Sequence, residues 1–228
     1  MTSTTTVATA SEGGTDRDRL LGNYAVAAAL VAALVTPLLG LAWFATSDGA
    51  DALSSASVSW WADPARDALS PLLGWASPER VYSTYLQVVA LLWPALLLTA
   101  RHAVRRRPGR TRTERVAWRV MLTGYVLVQV GITWIAVYLV GGDPNSAAVD
   151  PPFLALMVPG MLLGTLGATT LGVSLLRGGW QPRGAAVLLA LSWPFWFVVS
   201  FVLGHNGMGM LAMFVAWAVY ARRVLLRP

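Results

Sequence analysis

Charged residues in this chain fall in clusters, and five uncharged, mostly apolar stretches separate them: Leu20–Ser47, Val81–Ala100, Val120–Gly142, Pro151–Leu176 and Gly184–Ala221. About 20 apolar residues of helix cross a hydrocarbon layer about 30 Å thick, so each of the first four stretches fits one crossing. The fifth, with 38 residues, would be a helix about 57 Å long, nearly two bilayers. It has to turn, and Gly204-His205-Asn206-Gly207 is its turn-rich stretch. The pattern therefore predicts an all-α, polytopic membrane bundle of six transmembrane helices at 22–46, 79–103, 116–141, 152–176, 184–204 and 207–223. The strands of a β-barrel alternate polar and apolar residues; these stretches are apolar on every side, which excludes that alternative.

Composition agrees. Hydrophobic residues make up 56% of the chain and charged residues only 12%, against roughly a quarter charged in soluble domains. With no Cys there are no disulfides, cysteine zinc sites, iron–sulfur clusters or thiol nucleophiles. No nucleotide-binding glycine loop, nucleophile elbow or zinc-protease motif is present, so no cofactor and no metal is expected. All 17 basic residues are Arg, a bias that, with the abundant Ala, suggests a bacterial genome rich in GC.

Charge fixes the expected orientation. Six helices starting from a cytoplasmic N-terminus put every arginine except Arg66 and Arg80 on the inside, and seven of the 11 acidic residues outside. The positive-inside rule requires that sorting, so both termini are expected on the cytoplasmic side of the cell membrane. Residues 1–21 read as a disordered cytoplasmic tail, and residues 22–228 as the transmembrane domain. The first apolar run exceeds the 7–15 residues or so of a signal-peptide core and reads as uncleaved.

The basic cytoplasmic loop 101–119 carries Arg105, Arg106, Arg107, Arg110 and Arg112. They suit contact with anionic lipid headgroups at the cytoplasmic face, each adding about 1 kcal/mol, although a topology anchor explains them without any partner. No aromatic residues interleave with Arg101–Arg115 for base stacking, so nucleic acid is not expected. In the outer loop 48–80, Trp60, Trp61 and Trp75 are interrupted by Asp63, Arg66 and Asp67. Asp63-Pro64 has the grammar of an N-cap followed by a first-turn proline, which predicts a short interfacial helix starting there, with a lid over a binding site as the alternative. Ser77-Pro78-Glu79 and Asp150-Pro151 repeat that grammar where helices two and four begin.

Helix four has a small residue at every fourth position: Gly160, Gly164, Ala168 and Gly172. Such a stripe allows close helix packing, and a similar strip in helix one, Ala28, Ala32, Thr36 and Gly40, is its expected partner, within the chain or across a homo-oligomer. Prolines 37, 94, 159 and 194 interrupt four helices, and the matched Trp93-Pro94 and Trp193-Pro194 suggest two inverted repeats of three helices or a coincidence. No ionisable residue lies mid-span, which disfavours ion-coupled transport. The candidate polar residues at depth are Gln87, Gln129, Thr133, Thr165, Thr169, Thr170, Ser192 and Ser200. Gln129 is the most costly to leave unpaired, as an interhelical hydrogen bond or a ligand contact. The histidines belong to opposite membrane faces, too far apart to share a metal. His205 and Asn206 are weak ligand candidates, with Asp63 and Asp67 as acid/base partners.

Three functions fit these features. The first is a non-catalytic accessory subunit with a membrane-complex partner. The second is a facilitator or binding protein for an uncharged or lipid-like small molecule. The third is an outer-leaflet enzyme acting on envelope or lipid substrates through His205 and the loop carboxylates.

Overall fold

A computed structural model of the chain describes residues 9–107, 109, 111–138, 151, 153–205 and 207–226, without the side chains of 9–15 and 48. Every element among them is helical. In chain order these are α1 (Thr9–Trp43), α2 (Ser47–Leu53), α3 (Ala56–Ala68), α4 (Ser70–Leu73), α5 (Pro78–Arg106) and α6 (Arg112–Tyr138). A π-helical turn, Phe153–Met157, leads into α7 (Val158–Arg177), followed by α8 (Arg183–Ala190) and α9 (Ser192–Leu203). A 3₁₀ turn, Met208–Met210, leads into α10 (Leu211–Val224).

Among the described residues, four helical segments are long and apolar enough to cross a membrane: Asp16–Trp43, Pro78–Arg106, Arg112–Tyr138 and Phe153–Arg177. The α8–α9 pair makes a fifth if taken as one span, bent by 47° at its break. The last leg, from Met208 to Val224, is shorter than these. The legs form a closed ring in which α1 packs on α5, α5 on α6, α6 on α7, α7 on α8, α8 on α10, and α10 back on α1. Large apolar side chains face outward from it: Leu34 and Leu91 are each 71% exposed, Trp134 58% and Phe201 80%. A perimeter of that kind would aggregate in water and suits lipid, so the chain is a membrane-embedded helical protein.

Successive legs run in opposite directions, which gathers the arginine-bearing segments other than those of Arg66 and Arg80 at one end. There the Arg106 Nη2 donates to Asp18 at 2.6 Å, the Arg107 Nε to Glu114 at 3.2 Å, and Trp180 stacks on Tyr220 with ring centres 5.6 Å apart. The 203–208 turn and helices α2 to α4 occupy the other end. Gly204, at φ +67°, makes the left-handed backbone that ends α9, as a glycine readily does. The turn expected from Gly204 to Gly207 is therefore where the chain reverses; Asn206 lies outside the described residues.

Several expected boundaries are corrected. The first helix starts at Thr9, not residue 22, so the tail expected over 1–21 is helical from Thr9 onward, and Asp18 is held by Arg106 and His102. Helix α3 begins at Ala56 with Ser55 as N-cap, and Pro64 lies inside it rather than at its start. The buried Val58 and Ala62 explain why: packing on Phe44 and Leu41 orders the turns ahead of Pro64. At Ser77 the expected cap is present, its hydroxyl accepting from the Arg80 backbone N–H at 3.4 Å. Asp150 lies outside the described residues.

The glycine stripe also has a different partner. On α7, Gly160 and Gly164 meet α6 at Gly124 and Val128, and Gly167 meets α6 at Met121. Gly172 meets Ala186 and Ala190 of α8, and Ala168 is fully buried. The α1 strip is instead buried where α1 packs on α5 and α10, with Gly40 beside His205 and Met208. Both stripes are occupied within the chain, so neither is left open for a second subunit.

Candidate functional site: a cavity beneath the 203–208 turn

Each interior proline removes a backbone donor and frees the carbonyl four residues earlier. Pro94 frees the Ala90 carbonyl, and the Gln129 Nε2 of α6 donates to that oxygen at 3.4 Å while also donating to the Thr133 Oγ1 at 2.7 Å. One turn along α6, the Trp93 indole N–H donates to the Tyr125 carbonyl at 2.9 Å. Gln129 thus repairs a helix break, as membrane helices require. At the bend before Pro194, the Trp193 backbone N–H donates to the Thr169 Oγ1 of α7 at 2.9 Å. Pro159 follows the π-turn directly. The two Trp-Pro dipeptides behave differently, since α5 continues through Pro94 whereas α8 and α9 are separate helices. Gln87 donates to the Ala136 carbonyl at 3.4 Å, a second α5–α6 clasp.

This repair is testable. Gln129→Leu is expected to destabilise the protein by about 1 kcal/mol, the net worth of a buried hydrogen bond. In a Pro94→Ala background, where residue 94 can donate to Ala90 itself, the loss should shrink by at least half. A double-mutant cycle on thermal unfolding in detergent measures the coupling; zero coupling would remove the assignment.

The ring encloses a cavity of about 280 Å³ in the half of the bundle nearest the turn. Its wall comes from five legs: Thr36, Leu39 and Trp43 on α1, Leu86, Val89 and Trp93 on α5, Val128 and Ile132 on α6, Phe153, Met157 and Met161 around the π-turn, and Met210 and Phe214 at the last leg. Gly204, His205 and Gly207 close one end. Helix α3 packs over that closure: Val58 is near the Gly204 Cα, and Phe44 beside it meets the Trp61 ring edge-on with centres 5.8 Å apart. The aliphatic and aromatic lining with few polar groups is the composition of small-molecule sites, and the volume falls just below their usual range of about 300–1,000 Å³.

His205 is the ionisable residue of this wall. Its Nδ1 accepts the Gly207 backbone N–H at 3.0 Å, and its ring lies 5.5 Å from that of Trp43. Burial pushes the imidazole down to about 4, because the charged form loses hydration and no carboxylate among the described residues replaces it. It is neutral at pH 7.

Asp63 and Asp67 are elsewhere. Both are exposed and line a shallow surface groove with Arg66 and Ser70, on the side of α3 away from Val58 and Ala62. The structure does not bring them into the His205 cavity, and Gln87 and Gln129 are not among its lining residues. Of the basic cluster, Arg106 and Arg107 are engaged by Asp18 and Glu114, Arg105 and Arg112 are exposed, and Arg110 lies outside the described residues.

Sequence reasoning found His205 as a turn residue and missed the cavity. The only signal was the interior prolines, Pro37 beside Thr36 and Pro94 beside Trp93, because kinked helices diverge and leave space. Fold and cavity together define a class, a membrane-embedded helical bundle with an apolar internal cavity. Comparison with family models, curated proteins and solved structures gives no match.

Proposed function

We propose that the chain is a six-span protein of the cytoplasmic membrane, with both termini cytoplasmic, that binds an uncharged, lipid-like small molecule in the cavity beneath the 203–208 turn. The cavity itself carries this reading, because a bundle built only for packing would fill its core. Charge segregation supports the orientation, with fifteen arginines on the cytoplasmic side. On that orientation the cavity lies in the external half of the bundle, α3 is its external cover, and the exposed Arg105 and Arg112 meet anionic headgroups. The accessory-subunit reading loses its main support once both glycine stripes pack within the chain. Among the described residues the outer-leaflet enzyme reading lacks a carboxylate facing His205.

The binding of 2-ethylnaphthalene, a compact aromatic hydrocarbon, tests the proposal. The purified protein should bind one equivalent in mild detergent, followed by tryptophan emission. Leu86→Trp, which places an indole in the cavity, should weaken binding at least tenfold without loss of the folded monomer. Absence of saturable binding, or binding indifferent to Leu86→Trp in a folded protein, would contradict the proposal.

A further inference from the structure

The polar hydrogens of the cavity wall select among apolar guests. The Thr36 hydroxyl donates to the Ala32 carbonyl at 2.8 Å, and the Trp93 indole N–H to the Tyr125 carbonyl at 2.9 Å. Neither hydrogen is free for a guest. His205 differs. Its Nδ1 accepts from the Gly207 N–H at 3.0 Å, so that nitrogen carries the lone pair, and in a neutral imidazole the proton must then sit on Nε2. Among the described residues the hydrogen bond recorded for His205 is the one its Nδ1 accepts, and no protein acceptor takes the Nε2–H. The ring is held in place by Trp43 on one flank and by Gly40, whose Cβ position lies 3.4 Å from Nδ1. Trp43 also carries only a donor.

We infer that the site recognises an apolar, ring-containing molecule bearing a hydrogen-bond acceptor of the ketone or quinone type, whose carbonyl oxygen accepts the Nε2–H of His205 while its ring lies among Trp43, Trp93 and Phe214. This rests on the proposed binding role of the cavity and adds the chemical class of the ligand. Donor hydrogens facing an otherwise apolar wall favour an acceptor, because a buried donor left unmatched is costly. An alcohol or amine brings a hydrogen of its own, for which the Thr36 hydroxyl oxygen is the side-chain acceptor among the described lining residues, so the wall favours an acceptor-only guest without needing one. Charged guests are excluded by desolvation. The glycines at 204 and 207 serve the same geometry: a Cβ at 207 would sit 2.9 Å from the His205 Cε1 and displace the ring.

A matched pair of probes tests this, 2-acetylnaphthalene and 2-ethylnaphthalene, which have nearly the same shape and differ in the carbonyl. The wild-type protein should bind the ketone about 5-fold more tightly than the hydrocarbon, within the range of roughly 2- to 12-fold that a net hydrogen bond supplies. His205→Phe should bring the ratio to about 1 while hydrocarbon binding persists, and His205→Gln, which keeps an N–H donor, should retain part of the preference. Equal binding of both probes by the wild type overturns the inference but leaves the cavity reading standing. A ketone preference that survives His205→Phe overturns the assignment to His205. If neither probe binds, the cavity reading falls and the inference with it. Should His205→Phe not fold, the wild-type ratio and His205→Gln decide the matter.

Discussion

Gly124→Ala is expected to destabilise the bundle by about 3 kcal/mol, the upper part of the range for overpacked cores. A Cβ at residue 124 would lie 2.2 Å from the Gly164 backbone nitrogen and 2.7 Å from the Gly160 carbonyl oxygen. Both obstacles are backbone, so no rotamer change relieves the contact, and α6 and α7 must separate along their length. Lipid supplies no hydrophobic force to hold two helices together, which leaves close van der Waals packing to do it; separation removes that packing. Gly184→Ala is the control. Its Cβ would meet only the Val219 Cγ1 at 3.7 Å, and an alanine in a helix is favoured over glycine by about 0.5–1 kcal/mol. Thermal unfolding in detergent should therefore show a large fall for residue 124 and no fall for residue 184. Equal behaviour would remove the seam from the account.

The second large effect is expected at the arginine end. Glu114, 2% exposed in the first turn of α6, accepts from the Arg107 Nε at 3.2 Å. Removing one member of a buried ion pair costs up to about 3–5 kcal/mol, because the remaining charge keeps its desolvation penalty with less to offset it. Arg107→Met is expected to fall below the top of that range, since Glu114 keeps a further interaction, and the double variant Arg107→Met with Glu114→Leu to recover most of the loss. Unfolding midpoints of the two single variants and the double variant form the measurement. A double variant as unstable as the worse single would show that the pair is not the source. By contrast, the exposed Arg105 should tolerate Gln with a change within about 0.5 kcal/mol.

Much of the architecture is written in the spacing of charges. The charge-free runs locate the legs, because a span must be apolar throughout, and the Gly204 turn is legible because only a turn can divide 38 uncharged residues. Partnership between helices is not legible. The stripe on α7 advertises close packing but carries no address, and Gly124, the residue it meets, lies in a helix with no comparable stripe. The bend before Pro194 and the π-turn before Pro159 depend on which neighbour supplies a hydrogen bond, and the Thr169 hydroxyl that receives the Trp193 N–H comes from a different leg. Gln129 stood out because an isolated amide at depth is costly, yet its purpose, closing the gap left by Pro94, appears only when α5 and α6 are side by side. The cavity was hidden for the same reason: its wall draws on five legs, none of which signals a void by itself.

Side-specific cysteine labelling tests most directly the claim on which the rest depends, that this bundle sits in a membrane with its arginine end inside. The chain has no cysteine, so Ser54→Cys and Thr111→Cys, both at exposed positions on opposite ends of the ring, each give a single reporter. In intact cells a membrane-impermeant maleimide should label residue 54 and should reach residue 111 only after permeabilisation. Labelling of residue 111 in intact cells, or of both positions to the same extent, would contradict the account.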